Sequence, residues 1–168
     1  MTAPRTIIIA GLGRCGTTMV MNMLDAAGVP TIGNAPDWED EDAQRMLERD
    51  PAKWRKLIDG KAVKVLDAQR LTLPDLTGCD LLWLARNSRE QAKSMLKMIG
   101  LTQFRASVRA FQQSIRRDQT RAITKLTRAG ARLAGTMRFE GFINEPAWSS
   151  FALAHTLGME KEKIGRAS

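Results

Sequence analysis

An α/β fold, a mostly parallel sheet between two layers of helices, follows from three features of this 168-residue chain. Apolar, β-branched runs too short for helices alternate with longer amphipathic segments, the pattern of strands joined by helical crossovers. Those short runs read as buried strands, as a sheet covered on both faces requires. The first of them leads directly into a glycine-rich turn and then a helix, the strand–loop–helix arrangement of a P-loop-like, three-layer α/β/α domain.

That opening stretch is Ile7-Ile8-Ile9-Ala10-Gly11-Leu12-Gly13-Arg14-Cys15-Gly16-Thr17-Thr18. Thr6 to Ala10 is the strand. Thr17 to Ala27 is the helix, apolar at Met19, Val20, Met23, Leu24 and Ala27. Between them Gly11, Gly13 and Gly16 allow backbone angles and close approaches that a Cβ would block. Such a turn aims several N–H groups at one point, at the positive end of a helix dipole, and so forms a nest for phosphate or sulfate. Arg14 adds a full charge, and Thr17 and Thr18 add hydroxyl donors. Gly11 and Gly16 keep the spacing of the ATP-binding loop G-x-x-x-x-G-K-[ST], but Thr17 stands where that loop has its lysine. The turn suits an anion, not ordinary ATP hydrolysis; the bland alternative is a strand-to-helix turn with no ligand.

The rest of the chain continues the alternation. A short strand is expected at Val29 to Ile32 and a loop at Gly33 to Pro36. The acidic run Asp37 to Asp42 suits the first turn of a helix over Glu41 to Arg49. Pro51 opens a helix through Ile58. Lys61 to Leu66 and Asp80 to Ala85 are strands. Ser88 is expected to cap a helix reaching Met98. A long helix is expected from Thr102 to Arg128, a last strand from Arg132 to Phe139, and a closing helix from Pro146 to Leu157. Residues 1–168 read as a single domain.

Composition narrows the function. No apolar run approaches the ~20 residues a membrane span needs, and Cys15 and Cys79 form neither a metal nor a disulfide pattern. A soluble, reducing, cytoplasmic setting is the simplest expectation. The formal net charge is +8, concentrated in the second half of the chain, which favours a polyanionic partner, either a phosphorylated cofactor or nucleic acid.

A second anion-binding group follows the strand Asp80–Ala85. Arg86 stands at its carboxyl end, where open parallel sheets gather ligands, and Ser94 lies about two helical turns further on. The pair can hold one phosphate; equally, Arg86 can pair with a surface carboxylate while Ser94 faces solvent.

With both groups in view, the chain resembles the sulfotransferases. Gly11 to Thr18 is similar to that family's 5′-phosphosulfate loop, G-x-x-[RK]-S-G-T-[TS]. Arg86 with Ser94 resembles its 3′-phosphate motif. Lys61-Ala62-Val63-Lys64-Val65 before Leu73-Pro74 resembles the segment preceding that motif in bacterial members. Phe139-Glu140-Gly141-Phe142-Ile143-Asn144-Glu145-Pro146 is similar to the late strand-to-helix turn Y-E-x-L-x-x-x-P. The resemblance implies binding of 3′-phosphoadenosine 5′-phosphosulfate (PAPS), with adenosine 3′,5′-bisphosphate (PAP) as product and no metal. It assigns Gly11, Gly13, Arg14, Cys15, Gly16, Thr17 and Thr18 to the 5′-phosphosulfate, and Arg86 and Ser94 to the 3′-phosphate. In-line sulfuryl transfer to a hydroxyl or amine would rest on positioning and charge stabilisation, with Arg14 at the leaving oxygen. The implied acceptor is a small molecule or glycan, anionic acceptors included.

Three departures matter. Cys15 replaces the family's serine, and the helix N-terminus is expected to lower its pKa. The only histidine, His155, sits in an apolar helix and is expected to pack there, so the base candidates are Asp37 and Glu39, with Lys64 reaching toward the sulfuryl group. The tail from Lys161 to Ser168 lacks the glycine- and lysine-rich loop of many cytosolic members. On the long helix, Arg117, Arg121, Lys125 and Arg128 follow i, i+4, i+8, i+11 and form a basic stripe. Phe104, Val108, Phe111, Ile115, Ile123 and Leu126 are expected to supply its buried side. The stripe suits a solvated face, an anionic acceptor or a nucleic-acid backbone. Two alternatives to the transferase therefore stand: a catalytically silent nucleotide- or nucleic-acid-binding protein of the same fold, and a divergent small-molecule kinase.

Overall fold

In the computed structural model the described residues are 5–101 and 104–159. Four strands, β1 (Thr6–Gly11), β2 (Ala62–Leu66), β3 (Cys79–Ala85) and β4 (Arg132–Arg138), form one sheet of order β2-β1-β3-β4. Every pairing is parallel. Side chains alternate across the pleat, so each strand feeds two cores. Ile8, Ala10, Leu81 and Trp83 face one cluster, and Ile7, Ile9, Leu82 and Leu84 face the other.

The first cluster is covered by α2 (Glu41–Arg49), α3 (Pro51–Leu57), α4 (Ser88–Met98) and α5 (Arg105–Arg128), through Leu47, Trp54, Leu96 and Leu126 among others. The second is covered by α1 (Thr17–Ala26), α6 (Phe139–Asn144) and α7 (Pro146–Thr156), through Leu24, Phe142 and Leu153. The result is the expected three-layer α/β/α arrangement. The chain leaves β1 for β2 on one side, while β3 and β4 lie on the other. The carboxyl ends of β1 and β3 therefore flank the point where strand order reverses, the place where open α/β sheets bind ligands.

Local differences from the sequence expectations have physical causes. The strand expected at Val29–Ile32 is a single bridge, Thr31 to Ala62, because the chain turns away into the Gly33–Asp40 loop. Asn87, not Ser88, caps α4: its side chain accepts from the N–H groups of Arg89 and Glu90 at 3.0 and 3.3 Å. Ser88 is the first helical residue, and its hydroxyl accepts from Gln112 Nε2 at 3.0 Å. The long helix starts at Arg105; the expected start, Thr102, lies outside the described residues, as does the tail Lys161–Ser168. Phe104, expected inside, is 67% exposed, and Ala122 is buried in the helix's apolar stripe instead. The last strand ends at Arg138, one residue before the expected Phe139, which instead begins the short helix α6 within the expected strand-to-helix turn. His155 is exposed and stacks on Phe151 with ring centroids 6.4 Å apart rather than packing in the core. No helix among the described residues is long and apolar enough to cross a membrane.

Candidate active site

The glycine loop leaves β1 between two tight contacts. A Cβ on Gly11 would lie 2.3 Å from Cys15 Sγ and 2.8 Å from the Leu84 carbonyl, so only glycine lets the loop fold back onto β3 there. Arg14 and Gly16 both take positive φ, 68° and 100°. A non-glycine residue in the left-handed region carries strain that its surroundings must offset. Here Gln91 of α4, itself buried, donates to the carbonyls of Leu12 at 3.3 Å and Gly13 at 2.7 Å. This clamp turns the Leu12 and Gly13 carbonyls toward α4. The sequence reading missed Gln91; its position one helical turn before Ser94 was the available signal.

The two anion-binding groups meet. Arg14 Nε donates to Ser94 Oγ at 3.1 Å, and Arg86 donates to the Arg14 carbonyl at 3.2 Å. Rather than pairing with a surface carboxylate, Arg86 lies over the Phe139 ring, 4.6 Å from its centroid, a cation–π contact that fixes the guanidinium plane. The same ring packs under the loop, since a Cβ on Gly16 would sit 2.6 Å from Phe139 Cδ2. Glu140 then accepts from the Asn87 N–H at 2.8 Å, tying the start of α6 to the cap of α4. Phe139 and Glu140 thus locate Arg86.

On the opposite side of the loop, Lys64 projects from β2. Its Nζ donates to Glu39 Oε1 at 2.8 Å, to the Asp37 carbonyl at 2.5 Å and to Thr18 Oγ1 at 3.3 Å. Its side chain is only 4% exposed, against 44% for Glu39. Asp37 itself turns its carboxylate to the Glu39 N–H at 3.1 Å, so its backbone, not its side chain, faces Lys64. The loop carrying both is fastened to α1: Trp38 Nε1 donates to Asn22 Oδ1 at 2.5 Å, and Thr18 Oγ1 donates to the Asp37 carbonyl at 3.4 Å. Of the base candidates, Glu39 alone carries its carboxylate to Lys64.

Cys15 corrects an expectation. Its thiol is buried, and burial pushes its pKa up to about 11, against weaker lowering by the N–H groups of Thr17 and of Cys15 itself. Desolvation of the thiolate outweighs the helix N-terminus, so this is a packing thiol and not an activated one.

Beyond Arg86 lies a cavity of about 570 Å³ whose lining includes Arg86, Arg116, Arg138, Ser88 and Trp148. Arg116 comes from the basic helix and Arg138 from the end of β4, so three guanidinium groups line the cavity together with the two carboxylates of Glu140 and Glu145. The stripe behind Arg116 is largely engaged within the chain. Arg117 and Arg121 lie 3.3 and 3.9 Å from Asp118, and Lys125 donates to the Gln69 carbonyl at 3.3 Å.

A parallel three-layer sheet with a glycine-rich anion loop after β1 defines a P-loop-like α/β fold. Comparison with solved structures makes it a sulfotransferase-like fold. Retinol dehydratase in complex with androsterone and the inactive cofactor PAP aligns with a TM-score of 0.57 at 17% identity, covering 100% of this chain and 64% of that one. Retinol dehydratase with retinol and PAP gives 0.56 at 15% identity, covering 99% and 64%. Sulfotransferase STF9 from Mycobacterium avium gives 0.58 at 13% identity, covering 99% and 68%. The chain thus spans 64% of the length of the retinol dehydratases it matches. No protein-family model matches the sequence, and no curated protein matches it.

Proposed function

We propose that this chain, read as one domain over residues 1–168, transfers a sulfuryl group from PAPS to a hydroxyl or amine acceptor. The observation that carries the reading is the junction of Arg14, Ser94 and Arg86 at the strand-order reversal, with Lys64 approaching the same loop from the other side. Retinol dehydratases of this fold bind PAP, which supports a bisphosphorylated adenosine as ligand.

In this reading the N–H groups of the Gly11–Thr18 loop, with Arg14, Thr17 and Thr18, receive the 5′-phosphosulfate. Arg86 and Ser94 receive the 3′-phosphate, and the cavity with Arg116 and Arg138 takes the adenosine end; its three guanidinium groups outnumber its two carboxylates, Glu140 and Glu145, which suits that phosphate. The acceptor oxygen or nitrogen bonds to sulfur as the sulfur–oxygen bond to the 5′-phosphate breaks, and the electron pair of that bond stays on the phosphate oxygen. Lys64 and Arg14 stabilise the charge gathering there, and Glu39 takes the acceptor's proton. The site's contribution is fixed geometry and fixed charge.

Transfer of radiolabelled sulfate from PAPS tests the activity. The wild-type protein labels an acceptor, and Lys64→Ala lowers the rate by about two to three orders of magnitude, the usual effect of removing one charge-stabilising donor. A protein that binds PAP but labels no hydroxyl or amine would be the silent relative.

A further inference from the structure

Four of the eight large apolar side chains exposed among the described residues fall within seven positions, at the turn from α4 to α5. Met98, Ile99, Leu101 and Phe104 are 61%, 51%, 54% and 67% exposed. The chain reverses there at Gly100, whose φ of 71° is the left-handed angle that commonly ends a helix. The Leu101 N–H donates to the Leu96 carbonyl at 2.9 Å, and the Gly100 N–H donates to the Lys97 carbonyl at 3.2 Å. Leu96 and Val108, one on each helix, are buried and already close the helix pair. The four side chains of the turn are left outside that core. The charge around them is one-sided. From Gln91 to Arg117 the sequence holds no Asp or Glu, and Lys97, Arg105 and Arg109 flank the turn. All three are exposed, and none has a carboxylate within 4.0 Å among the described residues. Arg105 and Arg109 lie about one helical turn apart on the same side of α5.

We propose that this turn docks the protein on the surface of an anionic bilayer. Met98, Ile99, Leu101 and Phe104 enter the headgroup layer, and Lys97, Arg105 and Arg109 meet the lipid phosphates. The inference goes beyond the sulfotransferase reading and does not depend on it. Large apolar side chains beside unpaired cations bind a membrane surface in two ways at once, by apolar area buried and by attraction to anionic lipid. Other occupants fit less well. A second copy of this chain would set the same unpaired cations against each other, on molecules that each carry +8. A stable protein interface also takes ~800 Å² from each partner, and four side chains at the end of a helix pair fall well short of that. Nucleic acid would use the cations but leave Met98, Ile99 and Leu101 in water, with Phe104 alone able to stack on a base.

Flotation of the whole protein with lipid vesicles tests this, using phosphatidylcholine alone or with ~30% phosphatidylglycerol, an anionic fraction that gives the surface its negative potential. The protein is expected to float with the anionic vesicles and to stay behind with the neutral ones. Leu101→Ser combined with Phe104→Ser should weaken binding to the anionic vesicles at least about tenfold, because two apolar anchors are lost. Lys97→Gln combined with Arg105→Gln should weaken it about tenfold, and added salt should act in the same direction. All four positions are exposed, and serine at 104 is itself a good helix cap, so both variants should melt like wild type. Duplex DNA serves as the control polyanion. Failure to float with the anionic vesicles, equal flotation with both kinds, or binding to DNA alone overturns the proposal. So does anionic-vesicle binding that survives the loss of Leu101 and Phe104, since charge alone would then account for it.

Discussion

Arg14 and Ser94, eighty positions apart, touch through a 3.1 Å hydrogen bond from the arginine Nε to the serine hydroxyl. This contact joins the glycine loop after β1 to the helix after β3, and with Arg86 on the Arg14 carbonyl it makes one continuous basic floor. Ser94→Ala should therefore act on both ends of a bound bisphosphate. We expect PAP affinity to fall by about tenfold, the scale of one hydrogen bond to a charged group, with thermal stability unchanged within error. Isothermal calorimetry and a melting curve on the same sample measure the two effects.

Gln91 holds the loop rather than the ligand. Gln91→Ala leaves the Leu12 and Gly13 carbonyls without their side-chain donor, a loss of about 1–3 kcal/mol. Denaturant unfolding should show that loss, and PAP binding should weaken with it. A variant that melts like wild type would mean the loop does not need this clamp.

Gly16→Ala sets a methyl group against the Phe139 ring at a backbone angle that disfavours any Cβ. The ring also supports Arg86, so relief of the clash displaces that guanidinium. The expected outcome is a drop of about 1–3 kcal/mol in stability, together with weaker PAP binding than stability alone explains. Phe139→Leu separates the two effects, since it removes the shelf without the clash.

Cys15 gives a pH signature. Its folded pKa of about 11 lies above the ordinary thiol value of 9.0. Below pH 9 both states keep the proton and nothing changes. Between about 9 and 11 the unfolded chain releases it while the folded chain retains it, so stability falls as pH rises, by up to about 2–3 kcal/mol from this group. Burial raises the Cys79 thiol too, in the same direction. Unfolding at pH 8 and 10.5 should show the decline, smaller in Cys15→Ser. At pH 8 a thiol reagent should label the native protein far more slowly than the unfolded one; rapid native labelling would restore an activated Cys15.

Much of this was legible in order along the chain. The run Ile7–Ile9 and the glycines after it announce β1 and its loop because strand burial and backbone freedom are local properties. Arg86 and Ser94 were legible as a pair because a spacing of about two helical turns lets Ser94 share a side of α4 with the loop that carries Arg86. What the sequence did not expose was nonlocal. Arg14 lies between Arg86 and Ser94, so the loop and the second motif form one unit. Phe139 supports Arg86 from the start of α6, and Arg116 reaches the cavity beside Arg86 from α5. The thiol of Cys15 illustrates the same limit, since a helix N-terminus is visible in sequence but the burial of the thiol against Gly11 is not. Trp38 and Trp54 line one cavity only because the 33–40 loop is tied down on α1, and no local pattern encodes that.

The most direct test of the central claim is a calorimetric titration with adenosine 3′,5′-bisphosphate in the absence of magnesium. Saturable binding at one site is expected, weakened by about tenfold to a hundredfold in Arg86→Ala, with little binding of ATP. Absence of PAP binding, or ATP binding that requires magnesium and ignores Arg86→Ala, would contradict it.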